Sequence, residues 1–124
     1  MMLDRLTITL PWPDPKLMPN RKNGRHWDVT QFQKEQARSD GYYAAQNALG
    51  RDSLHRSKRM PLKITFAAPD RRGRDIDNLL SSLKHSLDGI ALGLGVNDKQ
   101  FRPLSIDVLL DADKKRFVLV EIGG

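Results

Sequence analysis

The chain has 124 residues, no cysteine and a formal net charge of +6. The length predicts a single domain over residues 1–124, and the absence of cysteine excludes disulfides and thiolate chemistry, which suits a reducing cytoplasm. No signal peptide is evident and no apolar run approaches the roughly 20 residues that span a bilayer, so we expect a cytoplasmic protein with no membrane partner. The positive charge favours a nucleic acid as the partner over an anionic membrane surface.

The first half of the chain predicts a strand, a basic loop and a helix. Residues 6–10 alternate between polar and apolar side chains, as in a half-buried strand, and a helix is expected over residues 30–49. Between them, residues 16–28 form a long polar stretch bounded by Trp12 and Trp27. Its cations could hold phosphates while the aromatic rings stack on unpaired bases, or it could be a plain surface loop whose tryptophans cover the core. The candidate DNA-binding residues in it are Arg21, Lys22 and Arg25.

The most charged part of the chain lies between a predicted strand over residues 62–66 and a second predicted helix. Three arginines fall within four residues there, and two aspartates follow at the start of the helix. Cations beside paired carboxylates indicate a metal site that faces a polyanion. An aspartate at a helix start also caps unpaired N–H groups, which is the simpler interpretation. The residues concerned are Arg71, Arg72, Arg74, Asp75 and Asp77.

One amphipathic helix is predicted from about Asp77 to about Leu94. At about 100° per residue, its leucines form one apolar arc that can pack against a sheet. A polar stripe runs along one edge of that arc and consists of Asp77, Ser81, Lys84 and Asp88. If Asp77 reaches a site, Lys84 can therefore border it.

The end of the chain predicts two strands, over residues 104–110 and 116–122, with Asp98 in the turn before the first of them. Residues 111–115 are expected to join these strands as a hairpin with a turn of about five residues. The predicted fold is α+β: a single domain with a mixed sheet, elements in the order β-α-β-α-β-β, and helices on one face.

These motifs resemble the RusA family of Holliday junction resolvases, many of which come from phages and prophages. The likeness covers nearly the whole chain, and its most specific parts are Arg74-Asp75-Ile76-Asp77-Asn78-Leu79 and Asp98-Lys99-Gln100. The resemblance implies that Asp75, Asp77 and Asp98 are catalytic, metal-binding aspartates. It also implies a homodimer that nicks two strands of a four-way DNA junction symmetrically.

The implied chemistry is Mg²⁺-dependent phosphodiester hydrolysis, because carboxylates bind hard cations through oxygen and leave positions for water and substrate. Mn²⁺ could take the place of Mg²⁺, and no small-molecule cofactor is expected. Arg71, Arg72 and Arg74 would hold flanking phosphates. The family usually has a lysine four residues after the second aspartate, and here that position is Ser81. Lys84, on the same predicted stripe, could supply the positive charge instead.

Two other classes of function stay open. A DNA-binding module without catalysis would use Asp75 and Asp77 only as helix caps, and the basic loop would be its active surface. A metal-dependent nucleotidyl transferase also uses paired aspartates, but the chain shows no glycine-rich phosphate loop. Incubation with a labelled four-way junction and Mg²⁺ separates all three functions.

Overall fold

We describe the protein from a computed structural model, which describes residues 1–18 and 30–123. The strands in these residues are β1 (Met2–Leu3), β2 (Arg5–Pro11), β3 (Ser53–Leu54), β4 (Met60–Ala68), β5 (Phe101–Leu110) and β6 (Phe117–Gly123). The helices are α1 (Gln31–Leu49), α2 (Ile76–Ser82) and α3 (Lys84–Leu94). A short 3-10 turn, Asp98–Gln100, leads directly into β5.

Four of the strands form the main sheet, in the spatial order β2-β6-β4-β5. β4 and β5 run parallel, whereas β6 is antiparallel to both β2 and β4. The register aligns apolar residues in rows across the sheet, so that Ile8 pairs with Val120 and Val120 pairs with Ile64. All three side chains are buried, because residues that pair directly across neighbouring strands point to the same face of the sheet. β1 and β3 form a separate parallel pair.

The helices cover the buried face of the sheet. One apolar core joins the strand residues to Ala45 of α1, Leu79 of α2 and Ile90 of α3. The alternate residues of β2 are exposed. The prediction of a small single-domain α+β fold with a mixed sheet is therefore confirmed, while β1, β3 and an additional helix depart from the predicted chain order. No helix in residues 1–18 and 30–123 has the length and apolar character needed to cross a membrane.

The two C-terminal strands do not form the predicted hairpin. β4 lies between β5 and β6 and pairs with both. The connection over residues 111–116 therefore crosses the end of β4, where the N–H of Asp111 donates to the Ala68 carbonyl at 2.8 Å. The physical reason lies in β4, since most of its nine residues are buried and a strand of that composition is favoured at the centre of a sheet.

The predicted single helix after the aspartates is two helices, α2 and α3, which meet at Leu83. Ser82 is buried, and its hydroxyl donates to the Leu79 carbonyl at 2.6 Å. The N–H of Leu83 donates to the Leu80 carbonyl, three residues back, at 3.0 Å. This local tightening ends the regular ladder of α2, so the predicted single helix is divided between positions 81 and 84.

α1 and α3 cross with their backbones in close contact. A Cβ on Gly41 would lie 3.0 Å from the Ser86 carbonyl carbon, and one on Gly89 would lie 2.8 Å from the Arg38 carbonyl carbon. The crossing therefore needs a residue without a side chain on each helix. The Arg38 guanidinium also donates to His85 Nδ1 at 3.3 Å. Burial first, and then the positive charge of Arg38, lowers the pKa of the His85 imidazole below its ordinary value.

Candidate functional site

The segment that follows β4, residues 69–74, is folded around one ion pair, and we name it the Arg loop. The Asp70 carboxylate accepts from the Arg72 N–H at 2.9 Å and from the Arg74 guanidinium at 3.0 Å. The same guanidinium donates to the carbonyls of Asp70 and Arg72. It also lies 5.5 Å from the centre of the Trp12 ring, a distance at which a cation and an aromatic face attract each other.

The predicted arginines therefore have different surroundings. The Arg74 side chain is only 11% exposed, and its hydrogen bonds hold the loop together. Arg71 and Arg72 are exposed, which leaves their guanidinium groups open to an anionic partner. The Arg72 N–H, together with Arg74, holds the pKa of the Asp70 carboxyl below its ordinary value, so Asp70 stays ionised and keeps the loop in this shape.

Asp75 and Asp77 lie at the start of α2. Asp75 is the N-cap residue, and its carboxylate accepts from the Asp77 N–H at 3.0 Å. Asp77 lies in the first turn, and both residues are exposed. Two carboxylates at the positive end of a helix dipole are favoured electrostatically. The simpler interpretation of Asp75 as a helix cap is therefore confirmed, and the cap leaves its other carboxylate oxygen available.

A cleft of about 310 Å³ lies beside Asp75, and we name it the Trp12 cleft. Its lining combines cations and aspartates with the aromatic ring of Trp12. The residues that line it include Trp12, Arg72, Asp75, Asn78 and Arg116. The cleft thus places two carboxylates, those of Asp70 and Asp75, around one space with two exposed arginines and an aromatic ring.

A second cavity, of about 350 Å³, holds the other predicted residues, and we name it the Lys84 groove. Lys84 and Ser81 both line it, together with Asp98 and Asp88. The predicted proximity of positions 81 and 84 is therefore kept despite the break in the helix. The remaining walls are apolar and include Phe101.

The turn that carries Asp98 is fixed by its neighbours. Asn97 accepts from the Lys99 N–H at 2.9 Å, and the Gln100 side chain accepts from the Asn97 N–H at 2.8 Å. This is a capping box. The Gln100 amide also donates to the Ser57 carbonyl at 2.8 Å, so the glutamine of the Asp-x-Gln motif has a structural role.

The predicted aspartate triad is not gathered at one point. Within residues 1–18 and 30–123, no three histidine, cysteine, aspartate or glutamate side chains lie close enough together to hold one metal ion. Asp75 lines the Trp12 cleft, whereas Asp98 lines the Lys84 groove. Asp75 and Asp77 are nonetheless neighbours with free oxygens. That pair fits Mg²⁺ chemically, because Mg²⁺ keeps several waters and takes one or two carboxylates plus substrate phosphates.

Two further groups of cations bear on the site. The predicted DNA contacts Arg21, Lys22 and Arg25 lie outside the described residues. A group that the sequence did not single out lies in the connection between β5 and β6, where the sequence predicts a hairpin turn over residues 111–115 and a strand that begins at Arg116. It comprises Lys114, Lys115 and Arg116. Their position beside the Arg loop depends on the order of the strands, and the run of three cations was the only signal in the sequence.

Comparison with known proteins places the chain in a family. No family model matches the sequence. An "Uncharacterized protein" of Xylella fastidiosa (strain Temecula1 / ATCC 700964) is 38% identical over 121 residues, which cover 95% of this chain and 76% of the Xylella protein. The chain therefore belongs to the same family as that protein. The name of the relative states no activity, and the function proposed next comes from the residues of this chain.

Proposed function

We propose that the protein is a Mg²⁺-dependent endodeoxyribonuclease that cleaves branched DNA, similar to the RusA-type Holliday junction resolvases. The observation that carries the proposal is the junction of β4 and α2. There the exposed Arg71 and Arg72 precede two exposed carboxylates, Asp75 and Asp77, at a helix start. This arrangement offers cations for phosphates and oxygen ligands for a metal within seven residues of one another.

Asp75 and Asp77 would hold the ion in this proposal. A bound Mg²⁺ supplies Lewis acidity and lowers the pKa of a coordinated water. The exposed Arg71 and Arg72 would hold the phosphates on either side. Asp98, which lines the Lys84 groove and not the Trp12 cleft, is proposed as the third carboxylate on the basis of the resemblance alone. Lys84 is proposed to offer a positive charge to the transition state.

The remaining parts of the proposal come from the resemblance. We propose a homodimer, because two identical sites related by a two-fold axis suit a junction whose two cleavages are related in the same way. Four-way junctions in cytoplasmic DNA are the proposed substrates. Mg²⁺ is the proposed cofactor, and Mn²⁺ is its proposed substitute.

A second candidate function is favoured by one observation. Asp75 caps α2 through a hydrogen bond of 3.0 Å to the Asp77 N–H, and a cap alone is enough reason for an aspartate at this position. On that basis the protein would be a DNA-binding module without catalysis. The basic loop over residues 16–28 would then carry the DNA-binding activity.

Cleavage of a labelled four-way junction separates the two candidates. The nuclease proposal predicts paired nicks that require Mg²⁺. It also predicts that Asp77→Asn and Asp98→Asn abolish nicking while junction binding stays intact or tightens, because removal of a negative charge near phosphates does not weaken their attraction. Tight junction binding without Mg²⁺-dependent nicks by the wild type would support the binding module. A variant that cleaves at the wild-type rate would remove that aspartate from the site.

A further inference from the structure

The strand order brings two basic segments to the same end of the sheet. β4 and β5 are parallel, so the Arg loop after Ala68 and the connection after Leu110 leave from the same end. β6 starts there as well, since Phe117 pairs with both Pro11 and Ala67. The connection over residues 111–116, which we name the basic arm, therefore lies beside the Arg loop although more than 35 residues separate the two along the chain.

The basic arm has a defined backbone conformation. The Lys114 N–H donates to the Asp111 carbonyl at 2.9 Å, and the Asp113 N–H donates to the Asp111 carboxylate at 3.2 Å. Lys114 has a φ of 57°, which is the left-handed region where glycine is favoured and most other residues have a steric cost. Glycine would not have this cost, so the backbone conformation alone does not explain a lysine at this position.

The cations of the basic arm are available for a ligand. Lys114, Lys115 and Arg116 are exposed, and none of them forms a salt bridge with another residue in the described part of the chain. Two acidic residues, Asp111 and Asp113, lie on the same arm. The Asp113 N–H uses one oxygen of Asp111, and the cations still outnumber the carboxylates.

Arg116 connects the basic arm to the Trp12 cleft. It lines the Trp12 cleft together with Arg72 and Asp75. Cations from two different segments, the Arg loop and the basic arm, therefore line the same cleft as Asp75. A small anion would be bound by the cations of one segment, whereas a polymeric anion that crosses the cleft would contact the cations of both segments.

We propose that the basic arm is a second phosphate-binding element that holds the DNA backbone across the Trp12 cleft, with Arg116 as its main contact. This inference rests on the proposed function for the identity of the polyanion. Lys114 and Lys115 precede Arg116 on the arm, and they contact phosphates further from the cleft. The benefit that keeps a lysine in a left-handed conformation is then its charge.

Binding of a fluorescent four-way junction without Mg²⁺, measured by anisotropy over a range of salt concentrations, tests the inference. Removal of one phosphate-binding side chain should reduce the slope of log K against log salt by about 1. We expect Arg116→Gln to reduce the slope by about that amount. We expect Lys114→Gly combined with Arg116→Gln to raise Kd by roughly tenfold or more. Lys114→Gly should keep or raise Tm, so unfolding does not explain the weaker binding.

Arg5→Gln is the matched control, since Arg5 pairs with Gly123 at the opposite end of the sheet. It should leave the slope unchanged. If the wild type binds the junction and Arg116→Gln has the wild-type slope, or the same slope as Arg5→Gln, the inference is wrong and the proposed function stands. If the wild type does not bind branched DNA, the proposed function itself is wrong.

Discussion

The close crossing of α1 and α3 allows one prediction to be worked out in detail. A Cβ at Gly89 would lie 2.8 Å from the Arg38 carbonyl carbon and 3.0 Å from the Tyr42 nitrogen. Ordinary contacts between such atoms are about 3.5–4.0 Å, so the helices must separate by about 1 Å in Gly89→Ala. Overpacking of this kind costs about 3 kcal/mol, and the better helix propensity of alanine returns about 1 kcal/mol.

The net loss for Gly89→Ala is therefore about 2 kcal/mol in the free energy of unfolding, or about 6–10 °C in Tm for a domain of this size. Urea denaturation followed by circular dichroism measures it. Gly73→Ala is the control, because a Cβ at Gly73 has no heavy atom within 4 Å. We expect its stability to be unchanged or raised by up to about 1 kcal/mol. If Gly89→Ala has the wild-type urea midpoint and m-value, the close crossing does not constrain α3.

Three further predictions concern charged residues. Lys84→Ala should slow junction cleavage by at least about tenfold, which is about 1.4 kcal/mol, and Ser81→Lys added to it should restore part of the rate in the same gel assay. Alanine at Arg71 and Arg72 should reduce the salt slope of junction binding by about one unit for each arginine that holds a phosphate. The pKa of His85 is lower in the folded protein than in the unfolded chain, so the unfolded chain binds a proton at this imidazole more readily. The free energy of unfolding should therefore fall as pH drops below about 6.5. In urea titrations, His85→Gln should remove this part of the pH dependence.

Each of these predictions has a clear contrary result. Normal cleavage by Lys84→Ala would mean that Lys84 is a solvent-exposed helix residue with no role in cleavage. An unchanged salt slope in the double arginine variant would place the DNA elsewhere on the protein. Equal pH dependence in His85→Gln and wild type, with His55→Gln as an exposed control, would mean that the burial of His85 and its contact with Arg38 have no effect on the pH dependence of stability.

The local elements of the fold could be predicted from the sequence because their signals are short-range. Alternation predicted β2, whose buried residues are Leu6, Ile8 and Leu10. The helix expected over residues 30–49 is α1, and Gly50 ends it with a positive φ of 60°. The position of the aspartates at the start of α2 followed from the same kind of local pattern.

The long-range arrangement could not be predicted in the same way. Two apolar strands with a short connection favour a hairpin locally, and nothing within residues 104–122 indicates that β4 lies between them. The basic arm consequently looked like an ordinary turn. The break at Leu83 depends on the buried hydroxyl of Ser82, whose bond to Leu79 competes with the regular helix ladder. Helical angles therefore predicted one continuous helix through Asp77 and Lys84, whereas the structure has two helices that meet at Leu83.

The two roles of Asp75 offer the most direct test of the nuclease proposal. Asparagine is about as good an N-cap as aspartate, so Asp75→Asn keeps the hydrogen bond to the Asp77 N–H and removes the charge that a metal needs. Asp75→Ala removes both, and it should lower the free energy of unfolding by about 1 kcal/mol.

The decisive measurement is the rate of Mg²⁺-dependent cleavage of a labelled four-way junction by wild type and by Asp75→Asn. Urea denaturation and junction binding are measured on the same samples. If Asp75 is a metal ligand, the wild type cleaves, and Asp75→Asn keeps wild-type stability and binding while its rate falls by roughly a hundredfold or more, about 2.7 kcal/mol in the barrier. Cleavage by Asp75→Asn at the wild-type rate would show that Asp75 only caps the helix and would contradict the proposed site.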